Sequence, residues 1–155
     1  MSGTASAVPN TFDVITAHWQ TGIERPVEEV FDYVADLKNE PTWNPDASNV
    51  VQTSDGPVGL GTTWEENFAR VGHYVTTIDA YERPTTLGFD ARNPKTDAVV
   101  RFRFEPQGDA AADVCCVVEL TMKGAMRLFE PLMAPMIRRQ IEQTRGPMLK
   151  KALEQ

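Results

Sequence analysis

The chain has 155 residues, of which 41% are hydrophobic and 24% are charged, and these values are ordinary for one globular domain. Its formal net charge of -7 argues against a surface that follows nucleic-acid phosphates, so we expect no nucleic-acid partner. No apolar run approaches the length of a membrane span, and we therefore expect no integral membrane association.

The first ten residues are small and polar, without the basic start and apolar core of a signal peptide. We interpret residues 1–10 as a flexible N-terminal tail and residues 11–155 as a single domain. The two cysteines, Cys115 and Cys116, are adjacent, and neighbours on a strand point to opposite faces, which disfavours a disulfide between them. Two reduced cysteines predict a cytoplasmic protein.

The N-terminal third of the domain predicts a strand, a helix and an irregular segment. Apolar residues alternate over residues 12–23, as in a half-buried strand. Pro26 then opens a helix whose apolar residues Val27, Val30, Phe31 and Val34 share one face, and which ends near Asp36. After the helix, prolines flank Trp43 on both sides, and we expect no regular structure there.

The middle of the chain has only strand patterns, separated by turn residues such as glycine, proline and aspartate. Short connections between consecutive strands predict an antiparallel meander. The predicted strands are 49–53, 62–69, 73–82, 85–91, 98–105 and 113–123.

The last segment, residues 124–155, has the apolar period of a helix. Pro131 and Pro135 predict kinks or a late start, and Gly146-Pro147 predicts a break. A sheet of this many strands must curl, and a long amphipathic helix is its natural cover. A tunnel between the two would be the place for a ligand.

Several segments together carry a resemblance to a known superfamily: IERPVEEVFDYVADL (23–37), TWNP (42–45), GLGTTWEE (59–66), IDAYERPTTLGF (78–89) and RFRFEP (101–106). In their order and spacing the chain resembles the START-like, or SRPBCC, superfamily, and within it the polyketide cyclase/dehydrase-type branch. The resemblance implies an α+β helix-grip fold. In that fold a curled antiparallel sheet of about seven strands wraps around a long C-terminal helix, with one or two short helices after the first strand. Members of the superfamily bind lipids, sterols, plant hormones or polyketides, and some cyclise or dehydrate them.

Trp43 lies in the segment that would sit at one end of the tunnel. An aromatic ring on a loop stiffened by Pro41 and Pro45 could form a lid over a ligand. The alternative is a plug that packs under its own loop and closes the end of the sheet, since tryptophan is usually well buried. Both interpretations remain open from the sequence.

Glu66 is the candidate acid or base. Alternation puts Trp64, Glu66 and Phe68 on one face of their strand, and the aromatic residues favour that face as the inner one. A carboxyl group in an apolar tunnel has a raised pKa, as a general acid or base requires. Tyr74 on the next strand could donate to Glu66 or to a ligand carbonyl. Alternatively, Glu66 lies in water at a bulge or rim, or pairs with an arginine.

The candidate ligand-binding residues are the large apolar side chains expected to face the tunnel from the sheet, the loop and the C-terminal helix. The methionines suit an adaptable pocket wall, although such a stripe at helical spacing is more often ordinary core. Both can hold, because the layer that closes the tunnel is core and pocket wall together. The candidates are Trp43, Trp64, Phe68, Ile78, Phe89, Phe102, Phe104, Met122, Phe129, Met133, Met136 and Ile137.

The remaining polar residues are assigned to the surface. His18 and His73 have no third ligand at a recognisable spacing, so we expect no metal site. No glycine-rich phosphate loop follows a strand, and we therefore expect no cofactor. The basic residues of two elements are expected on solvated faces, with an acidic partner or second subunit as the alternative for the helix. They are Arg101, Arg103, Arg138, Arg139, Arg145, Lys150 and Lys151.

The leading functional hypothesis is a binding protein, not an enzyme, that holds a small hydrophobic or amphipathic molecule such as a lipid, polyketide or isoprenoid. The alternative is a polyketide cyclase/dehydrase-like enzyme in which Glu66 removes a proton next to a carbonyl and Tyr74 stabilises the enolate. A third possibility is a protein-interaction module with a closed cavity, including a homodimer.

Overall fold

The computed structural model describes residues 14–155; the predicted tail and the start of the first predicted strand lie outside the described residues. The chain begins with β1 (Val14–Ile23), α1 (Val27–Ala35) and a 3-10 helix (Leu37–Thr42). The strands β2 (Ala47–Gln52), β3 (Thr63–Phe68), β4 (Gly72–Glu82), β5 (Thr86–Arg92), β6 (Thr96–Pro106) and β7 (Ala112–Met122) follow. A second 3-10 helix (Gly124–Phe129) leads into α2 (Glu130–Glu154). Among these helices, none is both long and apolar enough to cross a membrane.

The seven strands form one antiparallel sheet in the order β1-β7-β6-β5-β4-β3-β2. β1 pairs with β7 along its whole length, so the first and last strands are neighbours and β1 and β2 form the edges. The predicted meander is confirmed, with each strand end within two residues of its expected place. The α+β helix-grip prediction is confirmed as well, because a curled seven-stranded sheet carries a long C-terminal helix.

α1 follows the pattern expected from its sequence. Pro26 caps its N-terminus, and the negative charges of Glu28 and Glu29 lie in the first turn, near the positive end of the helix dipole. Its apolar stripe is buried, and the Phe31 ring contacts the rings of Phe104 and Tyr81, each with centroids 5.2 Å apart. α1 therefore closes one end of the main core.

The predicted break at Gly146-Pro147 is wrong, because α2 is one continuous helix from Glu130 to Glu154. The late start is confirmed, since the preceding residues form a 3-10 helix. Gly146 lies against β1, and a Cβ atom there would come within 3.2 Å of the Gln20 carbonyl oxygen. The glycine thus serves close helix-to-strand packing. Proline costs the helix one hydrogen bond, which tertiary packing of α2 on the sheet offsets.

The buried core has three parts. The largest lies beneath α1 and the C-terminal end of α2, where Leu149 and Leu153 are buried. A second lies beneath the N-terminal half of α2 and contains Ile15, Met122 and Ala134. The third contains Tyr74, Ala91 and Ala98. The candidate site lies between the sheet and α2, among residues of all three parts.

Candidate functional site

A cavity of about 240 Å³ lies between the inner face of the sheet and α2. Most of its wall is apolar. A cavity of roughly 150 Å³ is enough for benzene, and pockets for drug-sized ligands start at about 300 Å³. The apolar wall consists of Trp19, Leu37, Trp43, Phe68, Ala69, Val71, Phe89, Ala91, Ala98, Val100, Phe102, Cys116, Val118, Leu120, Met122, Met133, Met136, Ile137 and Ile141.

The cavity reaches solvent between the β3–β4 turn and α2. Four of its lining residues are exposed: Ala69 and Arg70 in the turn, and Met136 and Gln140 on the helix. The opposite wall is formed by buried side chains, including Trp19 and Phe102. A ligand would therefore enter beside α2 and meet the sheet.

Glu66 reaches the cavity from β3 and is only 2% exposed. The alternation predicted for this strand is confirmed, since Trp64 and Glu66 are buried while Glu65 is exposed. Thr76 donates a hydrogen bond of 2.7 Å from Oγ1 to Glu66 Oε1. Glu66 Oε2 is buried and accepts no hydrogen bond from a described N–H or O–H group. Burial rules out the rim alternative, and among the described residues Glu66 forms no ion pair with an arginine.

Glu40 brings a second carboxyl group to the same place from the 3-10 helix, where it is 8% exposed. Asn44 Nδ2 donates to Glu40 Oε1 at 3.0 Å. Burial raises the pKa of Glu40 well above its usual value, and the charge of Glu66 and a hydrogen bond with Glu66 raise it further; Asn44 and Arg145 act in the opposite direction.

The two carboxyl groups lie close enough for the charge of Glu66 to raise the pKa of Glu40. Two carboxylates are both acceptors, so they can bond to each other only when one of them carries a proton. The raised pKa means that Glu40 keeps its proton to a higher pH than an exposed glutamate does. Buried carboxyl pairs of this kind are arrangements that enzymes use for acid and base chemistry.

Tyr74 lines the cavity as predicted but has a different partner. Its hydroxyl group forms a hydrogen bond with the Thr96 hydroxyl group, whereas Thr76 is the donor to Glu66. Burial raises the pKa of Tyr74 to about 12, with the charges of Asp97 and Glu66 adding to the effect. Tyr74 therefore keeps its proton and can serve as a donor, not as a base.

Arg145 lies in the wall of the cavity, which contradicts its assignment to a solvated face. It is 8% exposed, and its Nη2 atom donates to Asp46 Oδ2 at 3.0 Å. The close packing at Gly146 holds this turn of α2 against the sheet and buries the neighbouring side chain. The ion pair joins α2 to the segment before β2.

Trp43 is buried and also lines the cavity. It follows a 3-10 helix, so the expectation of an irregular segment was wrong for residues 37–42. Its ring contacts Trp19 at a centroid distance of 6.3 Å and Phe102 at 6.5 Å, and its indole N–H is buried without a hydrogen-bond partner among residues 14–155. The packing resembles the predicted plug, but the ring leaves the cavity beside it unfilled.

Of the twelve apolar residues predicted to bind a ligand, eight line the cavity: Trp43, Phe68, Phe89, Phe102, Met122, Met133, Met136 and Ile137. Trp64, Ile78 and Phe104 do not, because each is fully buried in the core among other side chains. Phe129 does not either, since it ends the second 3-10 helix before α2 begins and is 52% exposed.

Sequence reasoning missed Glu40, Asn44, Trp19 and Leu37 as lining residues. Trp19 could have been predicted, because it lies on the apolar face of β1. Glu40 could not, since it precedes a proline in a short segment without helical or strand periodicity. Within residues 14–155 there is no group of three or more histidine, cysteine, aspartate or glutamate side chains that could hold a metal ion.

The chain is similar to known proteins over nearly its whole length. The model of a family described as polyketide cyclase/dehydrase and lipid transport matches residues 16–154. A search of curated proteins finds no match.

Among solved structures, the Zhui aromatase/cyclase from Streptomyces sp. R1128 has a TM-score of 0.71 at 10% identity, covering 90% of this chain and 91% of that one. A START superfamily protein from Mycobacterium smegmatis has a TM-score of 0.69 at 12% identity, covering 90% and 97%. Norcoclaurine synthase from Thalictrum flavum, in complex with dopamine and hydroxybenzaldehyde, has a TM-score of 0.58 at 13% identity, covering 89% and 85%. At these identities the likeness shows a shared fold.

Proposed function

The chain belongs to the polyketide cyclase/dehydrase and lipid transport family of the START-like superfamily, and from that premise we propose that it binds a small, mainly apolar molecule in the cavity beneath α2. The polar group of the ligand would lie at the Glu40–Glu66 pair. The observation that carries the proposal is an apolar cavity, open on one side, whose wall contains a buried carboxyl pair.

The volume of the cavity limits the size of the ligand that it can hold. About 240 Å³ suits a molecule of one or two rings, or a short chain, better than a long-chain lipid. Norcoclaurine synthase, which shares the fold, binds the single-ring molecules dopamine and hydroxybenzaldehyde. An aromatic, polyketide-like ligand is therefore favoured over the lipid and isoprenoid alternatives.

Apolar contact supplies part of the affinity. Burying about 200 Å² of apolar ligand surface contributes on the order of 5 kcal/mol. Association costs at least about 4 kcal/mol in lost translational and rotational freedom. The two terms nearly cancel, so the polar group that meets the carboxyl pair decides which apolar molecules bind well.

The carboxyl pair also favours a second candidate function, acid–base catalysis on a bound carbonyl compound. Glu66 would remove a proton next to the carbonyl, and Tyr74, which keeps its own proton, would donate to the developing oxyanion. If so, Glu66→Gln should abolish turnover of a carbonyl compound that the variant still binds. Unchanged turnover in that variant would rule out this role for Glu66.

The third hypothesis, a protein-interaction module, assumed that the cavity is closed. The open cavity beneath α2 does not favour that assumption. A homodimer stays a prediction, tested by the mass of the protein in solution at high concentration.

Native mass spectrometry of protein purified from its host tests for a bound molecule, and denaturation followed by extraction identifies it. A matched pair of variants then locates the site. Val118 lines the cavity from β7, so Val118→Phe should fill it. Val117, its neighbour on β7, does not line the cavity, and Val117→Phe is the control.

The expected result is a ligand-dependent rise in melting temperature for wild type and Val117→Phe that is lost in Val118→Phe. A ligand present at 100 times its dissociation constant stabilises a protein by about 2.7 kcal/mol, which such a measurement resolves easily. An equal rise in Val118→Phe would place binding elsewhere. No rise with any aromatic, polyketide-like or lipid probe would overturn the proposal.

A further inference from the structure

We propose that the cavity selects ligands that carry a hydrogen-bond donor, a hydroxyl or amine group, and rejects otherwise similar ligands that carry a carboxylate. This inference rests on the proposed function and names the chemistry of the ligand's polar group. It follows from the charges and the hydrogen-bonding state of the buried side chains around Glu66.

The first step concerns charge. Glu40 and Glu66 are both buried acidic side chains in the cavity wall, and the negative charge of Glu66 acts on Glu40. Asp46 and Arg145, which also line the cavity, are paired at 3.0 Å and cancel each other. A carboxylate ligand would therefore add a second negative charge beside the first within apolar walls, where like charges repel strongly.

The second step concerns acceptors. Glu66 Oε1 accepts a hydrogen bond from Thr76, while the buried Oε2 receives none from a described N–H or O–H group. A carboxylate oxygen has lone pairs to offer, so Oε2 can accept a hydrogen bond from a ligand. A hydroxyl or amine group supplies that donor and a carboxylate cannot.

The third step concerns donors. The buried donors beside Glu40 and Glu66 are already engaged: Asn44 donates to Glu40, Thr76 to Glu66, and Arg145 to Asp46. Tyr74 is bonded to Thr96, and the cation Arg70 lies away from the pair, at the exposed opening. The indole N–H of Trp43 is neutral, and it is buried without a hydrogen-bond partner in the described part of the chain. One neutral donor does not offset a second buried charge, but it can serve the oxygen atom of a hydroxyl group.

The test uses four probes with one ring system: naphthalene, 2-naphthol, 2-naphthylmethylamine and 2-naphthoic acid, titrated at pH 7. Quenching of tryptophan fluorescence reports binding, since Trp19 and Trp43 line the cavity. We expect the naphthol or the amine to bind at least about tenfold more tightly than naphthalene, and the acid to bind more weakly than naphthalene.

The two donor probes distinguish the sources of selectivity. Preference for the amine over the naphthol would show that the negative charge of the pair dominates. The reverse preference would show that the free acceptor dominates. Either result supports the inference, because both probes are donors.

Two variants separate the charge from the shape of the site. Glu66→Gln keeps the size of the side chain and removes its charge, so it should improve binding of the naphthoic acid about tenfold and weaken binding of the amine. Glu65→Gln is the matched control, because Glu65 is the neighbouring residue, is exposed and contacts His73 at 3.1 Å. Circular dichroism establishes that each variant is folded.

Titration of the wild-type protein with the four probes tests the inference even if Glu66→Gln does not fold. Equal or tighter binding of the acid compared with the naphthol would overturn the inference and leave the proposed function intact, because ligands would still enter the cavity. Binding of none of the four probes would overturn the proposed function and this inference with it.

Discussion

Glu66 and Glu40 show what a single residue's surroundings do to its chemistry. Strand alternation was enough to turn Glu66 inward, but its buried neighbour Glu40 comes from another element. Burial and the charge of Glu66 together raise the pKa of Glu40. A carboxyl group in water would be an ordinary acid, whereas Glu40, buried beside a second carboxyl group, holds its proton more tightly.

Glu40→Gln should make folding stability less dependent on pH. Because the pKa of Glu40 is raised in the folded state, the folded protein holds a proton that the unfolded chain loses near pH 4.5. Wild-type stability therefore falls as pH rises above 4.5 towards the folded-state pKa. Glutamine mimics the protonated carboxyl and can keep the hydrogen bonds to Asn44 and Glu66.

Urea unfolding from pH 4 to pH 8 measures this effect. The free energy of unfolding of Glu40→Gln minus that of wild type should rise with pH in this window, by up to about 1.4 kcal/mol per pH unit. Glu105→Gln, at an exposed position, serves as the control and should give a flat difference. A flat difference for Glu40→Gln too would mean that the folded protein holds no extra proton at Glu40.

Among the elements, α2 decides the shape of the site. Gly146 lets the helix approach β1, and Arg145 beside it pairs with Asp46 before β2. The same helix contributes Met133, Met136 and Ile137 to the cavity wall. Close packing and an ion pair hold the C-terminal half of α2 on the sheet. The N-terminal half lies beside the opening of the cavity.

Asp46→Ala should destabilise the protein by roughly 1.5–3 kcal/mol, the usual range for a lost hydrogen bond to a charged group. The loss leaves the guanidinium group of Arg145, whose side chain is 10% exposed, without its carboxylate. Asp32→Ala is the matched control, because the Asp32–Arg83 pair is about half exposed on both sides. We expect less than about 1 kcal/mol for it.

Chemical denaturation of the two variants provides the comparison. Equal losses would mean that burial of the Arg145–Asp46 pair has no energetic consequence and that α2 is held by apolar packing alone.

For the whole molecule, the two ends of the chain form one structural unit. β1 pairs with β7 throughout, and α2 at the C-terminus packs on β1 through Gly146. The cavity depends on both ends, since Trp19 lies on β1 and Ile137 on α2. We predict that residues 11–155 form a single domain. A single domain of this size is expected to unfold cooperatively.

Unfolding should therefore show one transition by different probes. Trp19 lies on the edge strand β1 and Trp64 on β3, near the other edge of the sheet. Tryptophan fluorescence of the Trp19→Phe and Trp64→Phe variants, each compared with its own far-UV circular dichroism, should give coincident midpoints. A midpoint difference between fluorescence and circular dichroism in either variant would show that one edge of the sheet unfolds separately.

The sequence by itself determined the elements and the faces of the strands. Alternation of apolar residues and turn chemistry act over a few residues, so the strands and the inward direction of Trp64 and Glu66 followed from local pattern. Eight of the twelve apolar candidates line the cavity for the same reason. The other four candidates do not line the cavity, because alternation identifies the inner face of a strand but not how far the cavity extends along that face.

Only the tertiary structure decided which polar groups meet. Asp46 and Arg145 are separated by 99 positions in the chain, and Glu40 reaches Glu66 from a short helix with no period of its own. Tyr74 likewise takes Thr96 as its partner from a strand that is not its neighbour in the sheet. These contacts depend on how α2 and the 3-10 helix pack on a curled sheet. Packing of this kind joins residues that no local pattern relates.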